Sequence, residues 1–481
     1  MKITFVRPNL YARRSRDAME PLVFAILKSL TPPDIETAFY DERLEDIPYD
    51  EATDLVAMTV ETFTARRAYQ IASEFRARGV PVVMGGYHAT FLPDEALQFA
   101  DAVVLGDAEG VWPRVVDDAR HGRLQQRYSH DGFAPLDGLR PDRSIFRGKH
   151  YAPVTMIQYG RGCRYNCEFC SIRAFYGSNL RQRPVAEVVE EIERAGRGYI
   201  FIVDDNIFVD VAKAKELFTA LIPLKIRWSC QVSIDVARDP ELMRLLEKSG
   251  CTTAVVGFES LDPKNLHQMK KDWNLRWNDY PTAIRILQDA GIMIYGTFVF
   301  GYDEDTPRSF DTTVEFAIEN RFFLGNFNPL TPTPKARLYD RLQSEGRMLY
   351  ERWWLDPAYR YGAATFRPRG MTADELTAGC YRARTLFNAY SSIARRALAP
   401  TTNLRSPYRL GLYLATNLIS HREIHAKQGQ ALGGAQSVAF SPPQRGEGAR
   451  SADEGSSRAQ PPTTPHPPAA PSPLTRGEGN T

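Results

Sequence analysis

The chain alternates short apolar runs with longer segments of helical periodicity, and it does so in two separate series. In the first, from Met1 to about Arg123, the runs are Ile3–Val6, Ile35–Tyr40, Leu55–Val60, Val82–Met84 and Ala102–Leu105. Helix candidates such as Ala65–Ala77 and Asp94–Phe99 lie between them. Strands flanked by helices on both sides require a parallel sheet covered on both faces. Gly85 and Gly86 follow the fourth run, where a backbone without Cβ admits a ligand closely. Ligands of open α/β sheets sit beyond the carboxyl ends of the strands. Residues 1–125 therefore predict a doubly wound, Rossmann-like α/β binding domain.

A polar connection, 126–152, leads to the second series over 153–345. Its strand candidates are Val154–Tyr159, Tyr199–Val203, Ile226–Ser233, Ala254–Phe258, Ile292–Phe300 and Leu324–Asn328. Pro184 opens a helix whose Val185, Val188, Val189 and Ile192 share one face. Further helix candidates are Val211–Leu221, Pro240–Ser249, Pro281–Ala290 and Phe310–Glu319. Six strand–helix units predict a partial (β/α)6 barrel with its chemistry at the carboxyl-end loops. Residues 346–428 predict a helical C-terminal part, with Trp353-Trp354, the stretch Thr385–Leu398, and a run Leu410–Ile419 too brief to span a bilayer. Its arginines and aromatics read as a helical cap, with the covering of a lipid or extended substrate as the alternative. Residues 429–481, rich in Pro, Gly, Ser and Arg, predict a disordered tail.

Three of the six cysteines, Cys163, Cys167 and Cys170, crowd into eight residues. No run of about 20 apolar residues and no secretory leader is read, so the expected address is the cytoplasm. In that reducing compartment the cysteines favour a metal or redox site over disulfides. With 60 basic against 58 acidic residues there is no global field to attract nucleic acid, and no nucleic-acid partner is expected. The spacing C-x3-C-x2-C places three thiolates in one loop after a strand. Iron–sulfur clusters usually take four; three leave one iron open, as catalytic metal sites keep a free position. A closed zinc site wants a fourth Cys or His, and none lies nearby in sequence. Cys230 and Cys251, in strand contexts, read as buried apolar fillers.

At this loop the sequence resembles the radical S-adenosylmethionine (SAM) superfamily, whose pattern is C-x3-C-x-aromatic-C, with Phe169 in the aromatic place. The resemblance implies a [4Fe–4S] cluster on Cys163, Cys167 and Cys170, with SAM bound at the open iron. It also implies one-electron cleavage of SAM to a 5′-deoxyadenosyl radical, and an external donor of flavodoxin or ferredoxin type. Asp204 and Asp205 fall where this superfamily binds the SAM ammonium, with a capping role as the alternative. Gly257-Phe258-Glu259-Ser260 resembles its Gly-x-Glu-Ser element, and a buried Glu259 is expected to order a ligand or an arginine. Gln231 and Ser233, at alternate strand positions, are expected to face ribose or carboxylate or to be ordinary strand polars. Arg183 is expected to hold a backbone carbonyl or an acidic partner.

A doubly wound domain before such a barrel resembles the cobalamin-binding class of this superfamily, which includes hopanoid and bacteriochlorophyll methylases. Gly85-Gly86-Tyr87-His88 and Gly106-Asp107-Ala108-Glu109-Gly110 look like turns of that class. Cobalamin contacts are expected at Thr59, Glu61, Thr62, Gly85 and Gly86. The D-x-H-x-x-G pattern that supplies an axial histidine in other cobalamin proteins is absent, and His88 does not fit it. The expected function is a cobalamin-dependent radical SAM methyltransferase acting on an unactivated carbon of a small-molecule or lipid substrate, such as a tetrapyrrole or other natural product. The alternatives are a cobalamin-independent radical SAM cyclase, oxidase or mutase, and a non-catalytic iron–sulfur binding or sensing protein.

Overall fold

The computed structural model describes residues 1–433 except 12, 16, 197 and 277–279. Strands β1 (Lys2–Arg7), β2 (Glu36–Asp41), β3 (Leu55–Thr59), β4 (Val82–Gly85), β5 (Ala102–Leu105) and β6 (Arg127–Ser129) form one parallel sheet in the order β2-β1-β3-β4-β5-β6. Period-two alternation divides them between two cores. Val56, Met58, Val82 and Met84 pack on the helix Ala65–Ala77, while Leu55, Ala57 and Val83 pack with Phe24, Trp112 and Val115 from the other face. Burial on both faces is why these strands read as unbroken apolar runs. The strand order reverses direction at β1 and β3, which opens a crevice at their carboxyl ends. The sixth strand lies inside the segment read from sequence as a polar connection. Its only buried residue is Tyr128, whose hydroxyl donates to Asp118, so it carries almost no apolar signature.

The second sheet contains β7 (Val154–Ile157), β10 (Tyr199–Ile202), β11 (Arg227–Val232), β12 (Cys251–Glu259), β13 (Met293–Phe300) and β14 (Leu324–Pro329), all parallel and in chain order from one edge to the other. This is the partial barrel. Between β7 and β10 a two-residue antiparallel ribbon, β8 (Gly160–Arg161) with β9 (Arg181–Gln182), brackets the cysteine loop. Cys230 and Cys251 are buried in the barrel core as apolar fillers.

The C-terminal part is helical over Ala373–Phe387, Tyr390–Ala397 and Pro407–Lys427. The stretch Thr385–Leu398 is thus two helices, broken at Asn388-Ala389, where the buried Asn388 amide donates to the Arg384 carbonyl. Trp353 and Trp354 are buried against the first sheet's helix-covered core. Residues 429–433, expected to be disordered, are held in place. Ala431 pairs with Arg360, Leu432 is buried beside the tryptophans, and Gly433 N–H donates to the Leu10 carbonyl. The rest of the expected tail, 434–481, lies outside the described residues. Among the described residues no helix is long and apolar enough to cross a membrane.

Candidate active site at the cysteine loop

The loop is fixed before any cofactor is considered. Gly162 adopts φ +91°, and a Cβ there would lie 2.0 Å from the Asn179 carbonyl oxygen, so only glycine lets the chain pass β9's approach. Its N–H donates to Asp205 Oδ2 at 2.8 Å. Asp204 Oδ1 accepts the Tyr159 N–H at 2.8 Å, and its carboxylate also accepts from Gly160. Asp204 caps no helix; it ties β10's end to the chain that leads into the cysteines, and Asp205 holds the loop itself. Gly162→Ala should clash and strain the backbone by about 3 kcal/mol or more. Iron retained after anaerobic reconstitution measures the effect, with most of the iron expected to be lost.

Cys163, Cys167 and Cys170 are half-buried free thiols. Burial pushes the Cys163 thiol up to about 11 and the Cys167 thiol up to about 12, and it raises Cys170 as well. Lys271 opposes the rise at Cys163 and Cys167. At neutral pH the thiols hold their protons until a metal displaces them. Among the described residues no three His, Cys, Asp or Glu side chains close on one point as a single metal ion needs. A cube differs in this respect, because each thiolate takes a separate iron. Three thiols on one loop, with no fourth in it, suit a cluster with one open corner.

Behind the cysteines, Glu168 is buried and accepts from Arg341 Nε at 2.7 Å and Nη2 at 3.2 Å. Its backbone N–H donates to Met269 O, and its carbonyl accepts from Leu338 N–H. The loop is thereby pinned to the helix Arg337–Ser344. Phe169 packs on the barrel core.

Glu259 has φ +63° beside a register shift between β12 and β13. Its Oε1 accepts from Lys271 Nζ at 2.7 Å, and that ion pair folds over Gly257, where a Cβ would meet Glu259 Oε1 at 2.3 Å. The side chain that pairs with it is a lysine, where an arginine was the expected residue. Gln231 Nε2 donates to the Asp204 carbonyl at 3.2 Å, and Ser233 Oγ accepts from Asn206 Nδ2 at 3.0 Å, so both brace the strand ends. Arg183 meets both of its expected partners, the Gln158 and Leu139 carbonyls and Glu191.

Burial raises the Asp204 carboxyl to about 7, with the backbone donors of Gly160 and Tyr159 opposing. A carboxyl raised on folding binds more protons folded than unfolded. Its contribution is full below about pH 4 and is lost as pH rises towards 7. Asp204→Asn should flatten that part of the stability–pH curve, read as urea midpoints between pH 4 and 7.

Beside the loop, at the carboxyl ends of the first sheet, lies a cavity of about 450 Å³. Thr59, Glu61, Gly85 and Gly86 line it from the first sheet, and Met156, Gln158, Arg161, Phe175, Tyr176 and Val203 from the barrel side. Thr62 does not. It is buried beneath, with its hydroxyl 3.4 Å from His88 Nδ1. His88 is fully buried, and its Nε2 lies 3.0 Å from Glu95, a carboxylate that also accepts from Tyr69 and Trp354. Gly85, Gly86 and Tyr87 of the Gly-Gly-x-His turn thus face the cavity, while His88 turns inward into a structural knot. The Gly-Asp-Ala-Glu-Gly turn does something the sequence reading missed. Asp107 and Glu109 grip Arg161, the residue before Gly162, and Asp107 also accepts from Arg181. An acidic turn on the first sheet so anchors the cysteine loop on the second.

A family model for the radical SAM superfamily matches residues 157–317. The chain is 31% identical over 369 residues to the bacteriochlorophyllide d C-12(1)-methyltransferase of Chlorobaculum tepidum, a match covering 74% of this chain and 80% of that one. The chain belongs to the radical SAM superfamily. It is also 31% identical over 354 residues to the bacteriochlorophyllide d C-8(2)-methyltransferase of the same organism, covering 69% and 78%. Among solved structures it resembles the radical SAM methyltransferase TsrM from Kitasatospora setae, determined with cobalamin and a [4Fe–4S] cluster bound. That match has TM-score 0.57 and 17% identity, and covers 72% of this chain and 78% of that one. Membership in the radical SAM superfamily implies SAM and a [4Fe–4S] cluster, and the three half-buried thiols of the fixed loop fit such a cluster.

Proposed function

We propose that this radical SAM protein is a cobalamin-dependent methyltransferase acting on an unactivated carbon of a tetrapyrrole-type substrate. The observation that carries the reading is the shared cavity. One chamber is walled by the carboxyl ends of a doubly wound sheet and by the cysteine-loop side of the barrel. Cys163, Cys167 and Cys170 would hold the cluster, and Thr59, Glu61, Gly85 and Gly86 would contact cobalamin. When bound, the cluster supplies the electron for SAM cleavage and cobalamin supplies a methyl carrier. Lys271, paired with Glu259, offsets negative charge beside Cys163 and Cys167. Asp205 and Glu168 keep the loop's shape while ligands come and go. Tyr87, Phe175 and Tyr176 pack edge to face and form an aromatic wall of the chamber, with Tyr87 and Phe175 centroids 4.5 Å apart. The two bacteriochlorophyllide methyltransferases, each alignable over most of its length, support a tetrapyrrole substrate.

The test is anaerobic reconstitution with iron, sulfide and cobalamin, followed by incubation with SAM bearing a deuterated methyl group, a reductant and a bacteriochlorophyllide. Transfer of the deuterated methyl with formation of 5′-deoxyadenosine supports the proposal. SAM cleavage by protein that retains no cobalamin would replace it with a cobalamin-independent radical reaction.

A further inference from the structure

Helix Pro407–Lys427 packs Leu410, Leu412 and Tyr413 against Phe323 and Ile393, yet leaves a second apolar face uncovered. Asn417 is fully buried. Its amide donates to the Phe323 and Tyr413 carbonyls, and its carbonyl accepts from Arg396. Leu414, Leu418 and Ile419 instead point outwards, 39–40% exposed. Between Tyr408 and Arg422 the exposed positions are Gly411, Leu414, Ala415, Leu418 and Ile419, one helical face without a charge. Helix Tyr390–Ala397 packs alongside, with the Tyr413 hydroxyl donating to the Ile393 carbonyl at 2.7 Å. It extends the surface with Tyr390, 65% exposed, and with Leu398 just past its end, 61% exposed. Contiguous exposed apolar area of this kind marks an interaction surface.

The surrounding charge identifies the partner. Residues 390–427 contain five arginines, of which Arg396 is buried, and one lysine, Lys427, which pairs with Asp17 and with the segment's single acidic residue, Glu423. Arg395, Arg405 and Arg422 are exposed beside the apolar face, Arg405 also pairing with Glu247 at 3.3 Å. The neighbouring acidic residues Asp311 and Glu315 meet the region only at the groove by Leu386 and Arg395, and Asp311 is paired with Arg382. We propose that this face docks on an anionic lipid surface, with the helix in the headgroup plane, its leucines and Ile419 inserted, and its arginines on the phosphates. A second copy of the chain fits this face less well, because a two-fold contact would set the arginine frame against itself. The surface lies apart from the cysteine loop, so the failure of either reading leaves the other standing.

The experiment is flotation of the full chain with phosphatidylcholine vesicles, with and without phosphatidylglycerol. Binding to the anionic vesicles alone, weakened by salt, is the expected result. The L418Q/I419Q double variant should lower the bound fraction about tenfold or more while its circular dichroism and thermal midpoint stay those of the parent. R395Q/R422Q should remove the preference for phosphatidylglycerol. Absence of binding to either vesicle, or equal binding to both, overturns the proposal. So does a dimer in light scattering that L418Q/I419Q splits while vesicles bind neither form.

Discussion

Cys167→Ala is expected to bring 5′-deoxyadenosine formation to background and to strip the iron–sulfur absorbance from the reconstituted protein. The loop offers three thiols and no fourth, so losing one leaves two ligands for a cuboid that ordinarily takes at least three. The substitution removes one sulfur from a half-buried position, and Glu168, Asp205 and Gly162 continue to hold the backbone. Circular dichroism and the thermal midpoint of the cluster-free protein should therefore stay close to the parent's. The paired readouts separate loss of chemistry from loss of fold. If the variant still cleaved SAM, the assignment of the cluster to these cysteines would fail.

The second large effect is expected at Arg161, which holds two parts of the molecule together. Its side chain is 10% exposed, and its partners Asp107 and Glu109 are 3% and 9% exposed. Arg161→Leu leaves Glu109 without that partner and Asp107 with Arg181 alone. Removing one partner of a buried ion pair costs about 3–5 kcal/mol. A fall in the urea midpoint at unchanged slope measures it. Adding Glu109→Gln alone should restore much of the loss, since a neutral group needs no buried counter-charge and Asp107 keeps Arg181. The pH dependence gives a separate check. In the parent, burial pushes the Glu109 carboxyl up, but Arg161 outweighs it and holds the group below its ordinary value. A carboxyl depressed on folding contributes stability above its ordinary pKa and loses it on acidification. Arg161→Leu should lack that acid-side loss, so parent and variant curves converge as pH falls through the carboxylate range.

Much of this architecture is legible in the order of residues. Strands buried on both faces, such as β3 and β5, announce themselves as apolar runs, and the strand bounds read from sequence agree with the structure to within a few residues. The cysteine triplet is legible because its spacing is local. What the sequence hides is contact across distance. Glu168 and Arg341 lie 173 residues apart, and neither periodicity nor spacing joins them. Lys271 sits in an ordinary helix–loop segment, and only the fold brings it onto Glu259. Asp107 and Glu109 were visible as a motif, but their purpose depends on an arginine in the other sheet. Thr62 faces the core because it opens a short 3-10 helix, Thr62–Thr64, past the end of β3, where the two-residue strand alternation no longer holds. β6 escaped because an edge strand with one buried residue needs no apolar pattern.

The knot of Tyr69, His88, Glu95 and Trp354 bears on how the protein is made. Glu95 receives the Trp354 indole N–H from 259 residues further along, and Trp353, Trp354 and Leu432 cover the same side of the first sheet. A ribosome adding about 5–20 residues per second needs roughly 13–50 s to travel from one partner to the other. During that interval the nascent first sheet exists with its lid still unsynthesised, and Tyr69 and the helix beside it face solvent or a chaperone. The amino-terminal third of this polypeptide leaves the exit tunnel first, yet its packing is complete only once Trp353, Trp354 and Leu432 have followed it.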